Sequence, residues 1–276
     1  MTSARQDLPP HGVRARNGAT ASDNKIHDDA VARQHGFLGG LVPGITVFGY
    51  LVTPVVEAWG EAWLERGFLS ARFRHPIYDG DELTVAGTVE AAGDLLTAAV
   101  EARNRRDEVC ALGAARLEPD APAPPSIEAY PAVDPFAPRL SATPEALGGV
   151  EALGSVEAGF HADRIDETEA LLGGNLPICR RLRVAHPVWL LYFANALLAS
   201  NVALGPWIHT ASAVQNLGLV RDGERVSARG RVAGLRERRG HRLVDLDVLL
   251  VAEGRRPVMH VRHSAIYALR STEHPQ

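Results

Sequence analysis

The sequence predicts an α+β fold made twice over: two copies of a unit in which an antiparallel sheet wraps one long buried helix. Three observations carry this. First, two stretches repeat at a single offset. YDGDELTVAGTV (78–89) lies over RDGERVSARGRV (221–232), and LVPGITVFGYL (41–51) over VAHPVWLLYFA (184–194), each 143 positions on. Separate stretches that agree at one offset mark a duplicated unit. Second, each copy holds an apolar run of helical length, followed by alternating segments joined through short charged turns. Third, eight of the 18 prolines fall between Pro119 and Pro144, a stretch that sustains neither a helix nor a central strand. The expected organisation is a first copy over 1–118, a Pro-rich linker over 119–154 and a second copy over 155–276.

Each element follows in order. The N-terminal MTSARQDLPPHG lacks the apolar core of a secretory signal. A helix is expected over about Ile45 to Trp59 and another over about Val188 to Val202. Both are apolar on nearly all sides, as a helix enclosed by a sheet must be. ELTVAGTVEAAG and LLTAAVEARN flank a Gly-Asp turn, and the run from RVSARGRV to HSAIYAL reads as successive antiparallel strands. Strands joined by turns rather than helices, with neither GxGxxG nor GxxxxGKS/T present, argue against a doubly wound nucleotide-binding fold. The segment PVWLLYFANALLASNVALGPW (187–207) approaches the length of a membrane span. Asn195, Ser200 and Asn201 interrupt it, however, and no basic flank follows closely, so it reads as a buried core helix.

Composition narrows the function. With 46% hydrophobic and 22% charged residues the chain has enough apolar surface for real cores. A net charge of −4 gives no reason to expect nucleic acid or an anionic membrane as partner. Cys110 and Cys179 stand far apart in no metal-ligand spacing, so a reducing cytoplasm fits, and neither a disulfide framework nor a zinc site is expected. The histidines of the second copy (His209, His241, His260 and His263) lack carboxylate or cysteine companions, and no metal is expected there.

The stretch SDNKIHDD (22–29) crowds acids around one histidine. If residues 23 to 27 form a helical turn, Asp23 and His27 share a face and can pair. Asp28 and Asp29 precede AVARQ, and one of them reads as the cap of a short helix rather than as a catalytic acid.

With this motif in place, the first copy resembles the MaoC-like family of (R)-specific enoyl-CoA hydratases and dehydratases, and the whole chain resembles the double hot dog fold. NKIHDD (24–29) is similar to the family's Asn-Pro-Ile-His-x-Asp motif. GFLGGLVPGITVFGYL (36–51) is similar to its Gly-rich run into the central helix. ARFRHPIYDGDELTVAGTV (71–89) is similar to the strand, Pro turn and Gly-Asp turn that follow. The resemblance covers about residues 17 to 117. The second copy shares the fold through the repeat but reads IDETEALL (165–172) where the motif would fall.

The resemblance implies an acyl-thioester substrate, on CoA or an acyl carrier protein, with no organic cofactor. His27 matches the motif histidine and Asn24 its asparagine. Gly44 matches the helix-opening glycine whose free N–H polarises the thioester carbonyl, with Gly40, Pro43 and Ile45 lining the substrate site. Three positions depart from the pattern. The catalytic aspartate, five residues before the histidine, is Ser22; Lys25 stands in place of proline; and Pro43 precedes the helix where histidine is common. Two accounts stay open: Asp23 takes over the carboxylate role, or Ser22 leaves His27 alone.

Hydration or dehydration of an enoyl-CoA/3-hydroxyacyl-CoA pair is the first expectation. An acyl-CoA thioesterase is the enzymatic alternative, for which Glu57 in the first helix is the candidate acid. A non-catalytic acyl-binding or partner subunit is the third reading. The arginines of ICRRLRVAH (178–186) and NRRDE (104–108) are weak candidates for CoA phosphates, and His186, opposite Pro43 in the repeat, is expected as a neutral core histidine. The repeat completes a pseudo-dimer within one chain, leaving open whether a second copy or another hot dog subunit joins it.

Overall fold

The computed structural model describes residues 6–174 and 177–270. Residues 1–5, the opening of the N-terminal segment considered above, lie outside the described residues.

The first half runs β1 (Gln6–Asp7), β2 (His11–Arg14), α1 (Asp29–Gln34), α2 (Gly44–Arg66), β3 (Phe68–Phe73), β4 (Glu82–Ala92), β5 (Leu95–Asn104) and β6 (Val109–Leu117). Between the halves come β7 (Leu140–Ser141) and α3 (Pro144–Gly148). The second half runs β8 (Leu153–Gly159), α4 (Ile165–Leu172), α5 (Pro177–Leu182), α6 (Pro187–Asn201), β9 (Val202–Ala203), β10 (Ile208–Asn216), β11 (Arg225–Arg238), β12 (His241–Ala252) and β13 (Arg256–Ala268).

The two expected sheets are one. Strands follow the order β1-β4-β5-β6-β3-β10-β13-β12-β11-β8, with β2 also on β4, and every pair in this sheet is antiparallel. The join is β3 on β10, registering Ala211 with Arg72 and Gln215 with Phe68. Each half would otherwise expose a row of unpaired backbone groups there, and pairing the two edges satisfies both. The order reads outward symmetrically from this seam, so the halves are related by a pseudo-twofold through it.

The repeat holds at the level of single bonds. Leu41 bridges Tyr78 as Val184 bridges Arg221. The Val42 N–H donates to the Ile77 carbonyl at 2.8 Å, and the Ala185 N–H to that of Val220 at 2.9 Å. Each of these pairs is offset by the same 143 positions as the sequence repeat.

The two long helices form the core. α2 is buried continuously from Thr46 to Val56, and its helical geometry breaks at Gly60. α6 buries Leu190, Leu191, Phe193, Ala194, Leu197 and Leu198. Each such aliphatic or aromatic side chain contributes about 1.5–3 kcal/mol when fully withdrawn from water. The starts of the two helices differ. Pro187 occupies the first turn of α6, and the His186 Nδ1 caps it by accepting from the Val188 N–H at 3.1 Å. Pro43 precedes α2 and supplies no side-chain cap. Burial holds His186 down to about 3, so it is the neutral core residue that its position suggests. No helix among the described residues is long and apolar enough to cross a membrane.

The Pro-rich segment is a docked strap. Its Tyr130 is buried against Leu249 and Val251, and its hydroxyl donates to Asp247 Oδ1 at 2.9 Å. Asp247, on β12, also accepts from His260 Nε2 at 2.7 Å and Arg231 Nη2 at 2.8 Å. Burial alone would raise the Asp247 carboxyl; the hydrogen bonds from His260 and Tyr130 and the charge of Arg262 hold it below its usual range.

Candidate active site

The loop around His27 is built from local bonds. Lys25–His27 forms a single 3-10 turn capped by Asn24, with Ile26 buried beneath it. Asp28 then caps α1, accepting from the Ala30 N–H at 2.9 Å and the Val31 N–H at 3.0 Å. Asp29 accepts from the Gly40 N–H at 2.8 Å and pairs with Arg33. Both acids are structural, as their place before a short helix suggests.

His27 is fixed by two contacts. Its Nδ1 lies 2.7 Å from the Leu41 carbonyl oxygen, which only accepts, so Nδ1 carries the proton and Nε2 the lone pair. Asn24 Nδ2 lies 3.3 Å from that Nε2. Burial lowers the His27 pKa, with the Leu41 hydrogen bond opposing it in part. The ring is therefore neutral at pH 7, in the tautomer of a base. Asn24 is in turn clamped from the other half of the chain: its Nδ2 donates to the Trp207 carbonyl at 2.9 Å and its Oδ1 accepts from the Trp207 N–H at 3.1 Å.

Two cavities share a wall at this point. The first, about 240 Å³, is lined mainly by apolar groups, among them Ile26, Leu41, Val42, Val47, Phe73 and Ile266, with the exposed Arg74, His75 and Pro76 at its rim. The second, about 430 Å³, is lined by Ser22, Asp23, Ile45, Arg139 and Tyr192, among others. Asn24, His27, Pro43, Asn195 and Trp207 belong to both walls. The site thus lies between the halves, with the loop and the start of α2 on one side and α6 and the start of β10 on the other.

The expected Asp23–His27 pair does not form. Asn24 takes the cap of the 3-10 turn and leaves Asp23 outside it, exposed, with no hydrogen bond or ion pair to His27 among the described residues. Ser22 turns its hydroxyl to the Asn24 carbonyl at 3.2 Å. Lys25 donates to the Ser22 carbonyl at 2.9 Å and so ties the loop to itself. Gly40 lines neither cavity; it backs His27 so closely that a Cβ there would lie 2.2 Å from the His27 carbonyl oxygen. Pro43, Gly44 and Ile45 do lie on the walls. The thioesterase candidate Glu57 is exposed and lines neither cavity. Of the suggested phosphate arginines, Arg180 pairs with Asp166 and Glu169, Arg183 with Asp222, Arg105 with Glu82 and Arg106 with Glu108, while the exposed Arg181 lines neither cavity.

Among the wall residues from the second half, Trp207, His209 and Asn195 lie outside any motif. Trp207 holds Asn24 through backbone atoms, which no side-chain pattern signals. His209 is buried, its Nε2 2.8 Å from Ser212 Oγ, whose oxygen lies 3.1 Å from His263 Nδ1. Burial and the adjacent His263 hold His209 well below its usual range. Its ring packs so tightly on the start of α2 that a Cβ on Gly44 would meet Nδ1 at 2.7 Å. Asn195 was visible in the sequence, but only as a polar break in an apolar helix.

No family model and no curated protein sequence matches the chain. Solved structures do. A MaoC domain dehydratase from Chloroflexus aurantiacus is 14% identical with a TM-score of 0.64, covering 98% of this chain and 96% of that one. A conserved Mycobacterium tuberculosis protein with a double hotdog fold is 17% identical with a TM-score of 0.62, covering 96% of each. An oleoyl thioesterase from Lactobacillus plantarum is 10% identical with a TM-score of 0.59, covering 98% of each. Together with the seamed sheet and the two enclosed helices, these likenesses identify the chain as a double hot dog protein, a fold it has in common with dehydratases and thioesterases alike.

Proposed function

We propose that the chain adds water to an enoyl thioester, or removes it from the matching 3-hydroxyacyl thioester, on CoA or a carrier protein, using His27 as the single proton carrier. The observation that supports this most directly is the tautomer of His27. Its proton is committed to Leu41, and its lone pair sits on Nε2 in the wall common to an apolar and a more polar cavity. The acyl chain would occupy the more apolar cavity and the thioester carrier the more polar one.

In hydration, water oxygen bonds to Cβ while His27 Nε2 takes a proton from it. The Cα–Cβ π electrons move toward the thioester carbonyl, and the resulting enolate oxygen is met by the Gly44 N–H at the start of α2. There the helix dipole and uncapped amides favour negative charge. The imidazolium then returns the proton to Cα, which restores the carbonyl and the neutral histidine. Asn24, locked by Trp207, donates to the resting Nε2 at 3.3 Å, and that long contact is given up when Nε2 takes the proton.

The test is loss of enoyl absorbance with short trans-2-enoyl-CoA esters, with thiol release followed in the same samples. Hydration that disappears in His27→Ala supports the reading. Thiol release without hydration would move the activity to thioester hydrolysis. A second reading, binding without turnover, is favoured by the lack of any carboxylate bonded to His27 among the described residues. Tight binding of CoA esters with neither reaction would establish it.

A further inference from the structure

We infer that Asn195, from the helix of the second half, holds the reacting water opposite His27, in the place left by Ser22; this rests on the hydration reading above. α6 carries two asparagines in an otherwise apolar centre and end, and they differ sharply. Asn201 is fully used: its Oδ1 accepts from the Gly154 N–H at 2.7 Å, and its Nδ2 donates to the carbonyls of Gly154 at 2.7 Å and Leu197 at 2.8 Å. The amides of Asn24 and Asn216 are likewise bonded to backbone, at Trp207 and Trp63. Asn195 is the exception. Its Oδ1 is buried without a partner, and among the described residues its amide makes no hydrogen bond.

A buried carbonyl oxygen without a partner costs stability, and this half-buried position in α6 accepts leucine as readily as its neighbours do. A side-chain amide with neither end bonded is free to turn either end to whatever enters the cavity. Asn195 is also one of the few residues in the walls of both cavities, together with His27 and Asn24. Its carbonyl end is turned into the wall. A half-turn about χ2 presents that end to the cavity and breaks no hydrogen bond, because neither end makes one.

The chemistry needs such a group. Water attacking Cβ gives one hydrogen to His27 Nε2; a second contact must fix its lone pair toward carbon. A lone histidine leaves the water free to rotate, and an amide oxygen that accepts the other O–H removes that freedom. Asn195 therefore acts on the water that reacts, from the half of the chain that lacks the hydratase-like motif.

The test compares Asn195→Leu and Asn195→Asp with the intact chain in kcat, KM and melting temperature. Asn195→Leu is expected to lower kcat for enoyl-CoA hydration by roughly 10²-fold with KM nearly unchanged. The same variant should melt about 2 to 4 °C higher, since an unpartnered polar group is replaced by an apolar one. Asn195→Asp restores an acceptor and is expected to keep most of the activity. A kcat for Asn195→Leu within about twofold of the intact chain, or a fall in kcat matched by a lower melting temperature, overturns the inference.

Binding separates this inference from the reading beneath it. A 3-hydroxybutyryl-CoA carries its hydroxyl where the water would sit, and butyryl-CoA does not. Titration calorimetry is expected to show tighter binding of the hydroxy ester by about tenfold, lost in Asn195→Leu. If the intact chain hydrates nothing but keeps that preference through Asn195, only the hydration reading fails. If it hydrates enoyl-CoA and Asn195→Leu changes neither rate nor preference, only the role of Asn195 fails. If neither turnover nor preference is found, both fail.

Discussion

His27 sets the residue-scale expectations. Replacing it with alanine removes the proton carrier we propose and should lower turnover by about 10²- to 10⁴-fold. Because burial lowers its pKa, the neutral form persists on the acid side of the ordinary histidine value. Hydration should thus hold constant as pH falls through 6.5 and decline only further into acid. A pH–rate profile whose acid limb lies at or above that value would contradict this. Asp23→Ala is the complementary case: the carboxylate is exposed and unbonded to His27, so turnover should stay within about twofold of the intact chain. Gly44→Ala puts a methyl 2.7 Å from His209 Nδ1 and is expected to cost about 1–3 kcal/mol by chemical denaturation as well as activity. The sequence made His27, Asn24 and Gly44 legible because each belongs to a short local motif. It left Asp23 ambiguous because spacing cannot tell an α turn from a 3-10 turn, and here Asn24 captures the cap. Trp207, His209 and Asn195 come together with the loop only in three dimensions, across a separation such as the 183 residues between Asn24 and Trp207.

At the scale of elements, the strap and β12 meet at a buried carboxylate. Asp247 is satisfied by Tyr130, His260 and Arg231, and truncating it would leave buried donors and charge uncompensated. Asp247→Ala should lower stability by about 3–5 kcal/mol, and Tyr130→Phe by about 1 kcal/mol, both read from urea unfolding. The Asp247 carboxyl is depressed in the folded state, so its contribution is present above its unfolded pKa and is lost as pH falls through the folded one. The proline count correctly marked the segment as neither central strand nor long helix. Its docking was not legible, because a single tyrosine finding a single aspartate 117 positions away leaves no pattern in the composition. The long helices, in contrast, were plain, since an enclosed helix must be apolar on every side and no other soluble element reads that way.

Across the whole molecule, His186, His209 and His263 are buried and neutral, His186 and His263 held down to about 3 and His209 well below its usual range. The unfolded chain takes up protons on these groups below about 6.5 while the folded chain does not, so stability falls with acidification between pH 6.5 and about 3. The slope is about 1.4 kcal/mol per pH unit for each histidine, before other groups contribute. Melting temperatures that stay flat across that window would count against their being neutral and buried. The duplication was legible from the offset of 143; that the two sheets fuse at β3 and β10 was not, because edge pairing is set by how the copies dock. Fusion into one polypeptide has its own consequence. Two identical subunits must carry every substitution twice, so a gain on one side of the seam is imposed on the other. Here the copies are free to diverge: one keeps the loop with His27, while α4 stands at the matching place and α6 carries Asn195 where the first helix has Val52. Asymmetry of this kind lets the two halves line one shared pair of cavities with different side chains, a freedom closed to a symmetric dimer.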